Sequence, residues 1–120
     1  MSADDARARA QRALEMLTAR YRADAGALCD RFAAISARLA ADPADAAALE
    51  ALLRDAHRTH GTAGSLGFDA ASERCGEMEE RVEQWRADPA LERSAREQLV
   101  AEFAAALRCD FGIDGATAAE

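Results

Sequence analysis

Apolar residues recur along this chain at alternating steps of four and three. Leu28, Phe32, Ile35 and Leu39 form one such stripe; Ala71, Cys75, Met78, Val82 and Trp85 form another. Ala10, Leu14, Leu17 and Tyr21 repeat the spacing near the N-terminus, and Leu91, Ala95, Leu99, Phe103 and Leu107 near the C-terminus. This period puts each set on one face of an α-helix and does not suit a strand, whose faces alternate every two residues. Ala, Leu, Arg and Glu, all good helix formers, dominate the composition, and β-branched residues are too few to build a sheet.

Local signals divide the stripes into helices. Ser2 can cap the first one, with Asp4 and Asp5 complementing the positive helix end. Gly26 weakens helix locally and predicts a bend or break around Asp24–Gly26, which would set off a separate N-terminal helix. Asp42-Pro43 predicts the next boundary, with Asp42 capping a helix from Pro43 to about Leu66. Gly67 ends that helix, and Asp69 can cap the following one. Asp88-Pro89 repeats the device before a last helix that ends near Phe111. Residues 1–111 are expected to form one domain and residues 112–120, small and polar, a flexible C-terminal tail. Short connections make neighbouring helices antiparallel. The expected fold is all-α: an up-and-down antiparallel four-helix bundle with an additional N-terminal helix.

Length and charge exclude several functions. At 120 residues the chain is the size of one domain that can bury a core without staples. A net charge of −7 argues against nucleic-acid binding, since a phosphate backbone would be repelled on average. No apolar run reaches the roughly 18 residues needed to cross a bilayer, so no membrane partner is expected. The acidic N-terminus lacks the apolar stretch of a signal peptide, and the expected compartment is the cytoplasm. Cys29, Cys75 and Cys109, an odd number without paired spacing, fit reduced, buried thiols better than a disulfide framework or a zinc cage.

One stretch departs from the pattern. His57-Arg58-Thr59-His60-Gly61-Thr62-Ala63-Gly64-Ser65-Leu66-Gly67 holds both histidines and places Gly61 and Gly64 inside a helix. There each glycine costs roughly 1 kcal/mol relative to alanine. At about 100° per residue, Leu49, Leu52, Ala56, Thr59, Ala63 and Leu66 define the buried face, and His57 sits roughly 125° from its middle. Gly61 and Gly64 flank His57 within about 40°, His60 lies at the border with the core, and Arg54 and Arg58 lie on the other flank. The helix thus shows solvent an imidazole bordered by positions without side chains. A neutral imidazole is a good nucleophile at physiological pH, and the glycines leave it accessible to a bulky partner. His60, one turn on, can donate a hydrogen bond or a positive charge to an anion held on His57, and Arg54 and Arg58 can add to that field.

This segment resembles the signature of histidine-containing phosphotransfer (HPt) domains: a histidine, two residues, usually Lys, then Gly and a run of small residues ending in an apolar residue and Gly. Cys75-Gly-Glu-Met78-Glu79 is similar to the Cys-x-x-Leu-Glu that often follows on the family's next helix. The resemblance implies a function. His57 would accept a phosphoryl group from the phospho-aspartate of one receiver domain and pass it to the aspartate of another. His60 would support the phosphate, and Gly61, Gly64, Arg54 and Arg58 would form the receiver-docking face. It implies receiver domains and a sensor histidine kinase, hybrid or not, as partners. No cofactor would belong to this chain, Mg²⁺ being supplied by the receiver. The chain departs from the pattern at His60, where Lys is usual, and a histidine, unlike a lysine, changes charge near neutral pH.

Other readings stand beside this one. A phosphorylation-incompetent bundle that only binds a receiver or kinase would use the same surface. A metal site on His57 and His60 lacks a third ligand on its face, so none is expected. Without a phosphate-cradling loop or any lysine, kinase or ATPase activity of its own is not expected. A monomer is expected, against the dimer of kinase bundles that also present a histidine. Cys75, on the core stripe, is expected to serve packing, and the carboxylates Glu77, Glu79 and Glu80 to form a solvated helix face.

Overall fold

The computed structural model describes residues 2–113. Within them run four α-helices: α1 (Ala3–Ala41), α2 (Ala46–Ser65), α3 (Asp69–Ala87) and α4 (Arg96–Asp110), with a short 3₁₀ turn at Arg93–Ala95. The all-α bundle is as expected, and α2 packs most extensively on α3, α1 on α4.

The stop signals act as anticipated in kind, with shifts in place. Ser2 caps α1 in a capping box with Asp5: the Asp5 N–H donates to Ser2 Oγ at 3.1 Å, and the Ser2 N–H to the Asp5 carboxylate at 3.4 Å. Asp42 does not cap α2. It closes α1, and its carboxylate accepts the Ala44 N–H at 3.0 Å, which turns the chain through Pro43. The N-cap is Asp45, which accepts the Ala48 N–H at 3.0 Å and is clasped by both arms of the Arg38 guanidinium. That first bond holds the Asp45 carboxyl below the usual range. Asp88-Pro89 repeats the turn, with Ala90 N–H on Asp88 Oδ1 at 3.1 Å, but the chain then needs left-handed Glu92 (φ 51°) and the 3₁₀ turn before α4 begins. The buried stripe of α4 is accordingly Arg96, Val100, Phe103, Ala104 and Leu107 rather than one starting at Leu91 and Ala95. Asp69 is the first residue of α3, after Phe68, and not its cap.

Gly67 (φ +88°) and Gly112 (φ +73°) end α2 and α4 in the same way. In each case the residue after the glycine bonds back five positions, Phe68 N–H to Ala63 O at 2.9 Å and Ile113 N–H to Arg108 O at 2.8 Å. Gly112 and Ile113, expected in the tail, therefore close α4, and Ile113 packs against the core. The rest of the expected tail lies outside the described residues.

The break at Gly26 is absent. α1 continues through it as one helix of 39 residues. Ala25, Leu28 and Cys29, packed in the core on either side, offset the roughly 1 kcal/mol that glycine costs in a helix. The additional N-terminal helix is thus the first half of α1. It projects past the bundle, and the longest extent of the molecule is 61 Å.

The core joins the faces of all four helices, from Phe32 against Phe103 (centroids 4.9 Å apart) to an aromatic cluster of Tyr21, Phe68 and Phe111 at one end. At the other end Arg96, 1% exposed, is packed beside the Trp85 ring. Its guanidinium donates to the carbonyls of Pro43 at 2.8 Å, Leu91 at 3.0 Å, Pro89 at 3.1 Å and Asp88 at 3.2 Å. One buried cation thereby ties both Asp-Pro corners together, with carbonyl acceptors replacing its water.

Candidate functional site

His57 stands on α2 with its side chain 73% exposed, because Asp55, Ala56 and Thr59 turn the other face of the helix inward. Its ring is not free. Nδ1 lies 2.6 Å from Oε2 of Glu79 on α3. A carboxylate can only accept, so Nδ1 carries a proton and donates it, and in the neutral ring Nε2 keeps its lone pair. The ring is thereby oriented and its tautomer chosen by one side chain of the neighbouring helix. Glu79 itself is only 21% exposed. Sequence reasoning placed Glu79 on a solvated face; its position four residues after buried Cys75 and one after buried Met78 was the signal that it borders α2.

His60 lies across the same groove, bound to α3. Its Nδ1 donates to the Ser72 carbonyl at 2.8 Å, while the Ser72 hydroxyl donates to the His60 carbonyl at 2.6 Å. The ring lies over Gly76, where a Cβ would come within 3.0 Å of it. His60 is therefore a boundary residue satisfied by a neighbouring helix, with Nε2 still available on the groove side. Ser72 and Gly76, which position it, carried no recognisable signal in the sequence.

The two glycines differ. Nothing lies within 4 Å of a Cβ built on Gly61, which is open. A Cβ on Gly64 would lie 3.0 Å from Ser72 Oγ and 3.5 Å from Ser72 Cβ. Gly64 was expected on the open docking face; it is exposed, but it borders Ser72, because α2 and α3 approach closely beside their shared turn. Its missing side chain leaves room for Ser72.

The arginines part company with the histidines as well. His57 and His60 share a groove of about 570 Å³ with Glu73, Gly76, Glu77, Glu79, Glu80 and Glu83. Arg54 and Arg58 line a different groove, on the α1 side of α2, with Arg31 and Arg38. Asp55, 8% exposed, lies beneath them, 3.6 Å from Arg31 and 3.9 Å from Arg54. The field expected to gather at His57 is split by α2 into a basic side and an acidic side. Among the described residues no cluster of three or more His, Cys, Asp or Glu side chains could hold a metal ion. Cys109, expected to be buried, is exposed near the end of α4, while burial pushes the thiol of Cys29 up to about 11 and that of Cys75 up to about 12, so neither of these two supplies a nucleophile near neutral pH. No helix of the described residues is long and apolar enough to cross a membrane.

An exposed imidazole with its lone pair outward, on the second helix of an antiparallel bundle, is suited to taking up and releasing an electrophilic group from another protein. Comparison with known proteins agrees. No curated protein and no solved structure gives a significant match. The family model for the Hpt domain matches residues 2–108. A match that spans nearly all of the helical bundle places this chain in the Hpt domain family, whose members work in histidine phosphotransfer within two-component phosphorelays and partner with receiver domains and kinases.

Proposed function

We propose that His57 carries the phosphoryl group, taking it from the phospho-aspartate of one receiver domain and giving it to the aspartate of another. In the accepting step Nε2 attacks phosphorus, the Nε2–P bond forms, and the acyl-phosphate P–O bond breaks to release the aspartate carboxylate. The proton on Nδ1 stays in place, and the positive charge that develops on the ring is met by the Glu79 carboxylate. Transfer onward is the reverse on a second receiver. Charge on the moving phosphoryl oxygens would be balanced by Mg²⁺ held in the receiver, which this chain need not bind; His60, whose Nδ1 hydrogen is given to the Ser72 carbonyl, adds to that only as an imidazolium, with a second hydrogen on Nε2. Gly61 leaves room for the receiver's approach, and Arg54 and Arg58, in the groove on the other side of α2, offer charged contacts only to a receiver that reaches across the helix. The chain is a carrier that turns over no nucleotide.

The observation that carries this reading is the 2.6 Å bond from His57 to Glu79, which aims Nε2 at solvent. The second reading, a bundle that docks on a receiver without carrying phosphate, draws on the acidic groove and on His60 in the place of the usual lysine. Incubation with phosphoramidate, and separately with a phosphorylated receiver, decides between them. The expected result is one phosphate per chain, labile in acid and stable in base, lost in His57→Gln with the helical circular dichroism intact. Absence of label on the parent chain, or label retained in His57→Gln, overturns the assignment.

A further inference from the structure

The first half of α1 is helix without a bundle around it. Every residue from Ser2 to Leu17 is exposed, and among the described residues the exposed large apolar side chains are confined to it: Leu14 (47%), Leu17 (56%) and Met16 (72%). A single helix of this length is marginal in water unless an apolar face is covered. Ala6, Ala10, Ala13, Leu14, Leu17 and Tyr21 fall within about 100° of one another around the axis. This stripe runs on into the face that Leu28 and Phe32 bury in the bundle, and Tyr21 joins the two where it meets Phe68 and Phe111.

We propose that this projecting half is a dimerisation arm that pairs, antiparallel, with the same segment of a second copy of the chain. The sizes along the stripe say so. Its tip is small (Ala6, Ala10, Ala13) and its base large (Leu14, Leu17, Tyr21). Antiparallel pairing about a two-fold axis near Ala13 sets Ala13 against the partner's Leu14, Ala10 against the partner's Leu17, and Ala6 against the partner's Tyr21. Small faces large at every level, as close packing requires. The tip's lack of bulk also lets it come up to the end of the partner's bundle. Parallel pairing would set Leu14, Leu17 and Tyr21 against themselves and bring the two bundles side by side.

Charge points the same way. The arm from Ala3 to Arg22 carries five arginines and three carboxylates in a chain of net charge −7, so the net negative charge belongs to the bundle. Antiparallel pairing keeps the two bundles at opposite ends and brings Asp5 level with the partner's Arg22 and Arg12 level with the partner's Glu15, against one like-charged pair, Arg7 with the partner's Arg20. It also opposes the two helix dipoles. A contact one helix wide falls short of the roughly 800 Å² per partner of a stable complex, so the dimer is reversible and concentration-dependent. This inference replaces the expected monomer and does not depend on the phosphotransfer reading.

Sedimentation of the full chain from about 1 μM to about 1 mM tests it, since weak complexes form in that range. The average mass should rise from 12.8 kDa toward twice that value. Leu17→Glu, in the stripe, should hold it at the monomer mass with helicity unchanged. Met16→Glu, the more exposed residue but outside the stripe, should leave association as it was. Spin labels at Ala3→Cys in a Cys109→Ser background should lie about 30 Å apart in the antiparallel dimer, against about 10 Å in a parallel one. A parent chain that stays monomeric to the highest concentration overturns the proposal, whether or not it then binds anionic lipid vesicles. So does association that survives Leu17→Glu, or a label distance near 10 Å.

Discussion

Replacing Glu79 tests the site at the contact that defines it, and two substitutions give different answers. In Glu79→Ala the Nδ1 proton loses its acceptor and the ring is free to turn and to exchange tautomers. A charge-assisted hydrogen bond contributes roughly 1.5–3 kcal/mol when shielded from solvent. The His57 side chain is 73% exposed, so screening reduces that to about 1 kcal/mol. By transition-state arithmetic this is a loss of about five- to tenfold in the rate of phosphorylation. Glu79→Gln keeps the shape but adds an N–H₂ donor, which can bond to an unprotonated Nδ1 and so hold the proton on Nε2, the nitrogen that must attack. Glutamine should therefore be the slower variant, by on the order of tenfold or more relative to the parent. The assay is the initial rate of labelling with phosphoramidate, which needs no docking surface, paired with ¹⁵N NMR of the His57 ring to read the tautomer. Parent-like rates in both variants would refute the reasoning, and so would glutamine outperforming alanine.

Three further outcomes follow from the packing. Gly64→Leu should not gain the roughly 1 kcal/mol that replacing glycine brings at an open helix site, because a Cβ there would lie 3.0 Å from Ser72 Oγ, which donates to the His60 carbonyl; a midpoint several degrees above the parent's in a melting scan would show the site to be open. Of the three cysteines, only exposed Cys109 should react with a thiol reagent at pH 8 in the native protein, and all three after denaturation; since burial raises the folded-state values of Cys29 and Cys75, their contribution to stability is complete at neutral pH and is lost as pH rises from the ordinary thiol range through about 11–12, which alkaline unfolding followed by circular dichroism checks. Arg96→Met fills much of the same volume but leaves the corner carbonyls of Pro43, Asp88 and Pro89 without their donor, and should cost about 3 kcal/mol or more in urea unfolding.

The sequence by itself determined the helices, because their signals are local. The stripe Ala71, Cys75, Met78, Val82, Trp85 is buried in α3 throughout, Gly67 ends α2, and His57 is exposed where the wheel put it. All of these follow from the 3.6-residue period and from the one residue that takes a left-handed turn without strain. The tertiary structure decided what depends on which helices meet. A wheel drawn for α2 alone shows Gly61 and Gly64 as equivalent; only the position of Ser72 separates them. It groups Arg54 and Arg58 with His57, whereas the packing of α1 and α3 on either side of α2 sends them to opposite grooves. Glu79, 22 residues from His57 along the chain, becomes its partner only when α3 folds back against α2. The continuity of α1 past Gly26 was likewise a matter of neighbours: the local cost of a glycine is fixed by the backbone, but whether a helix bears it is set by the burial of Ala25, Leu28 and Cys29 around it.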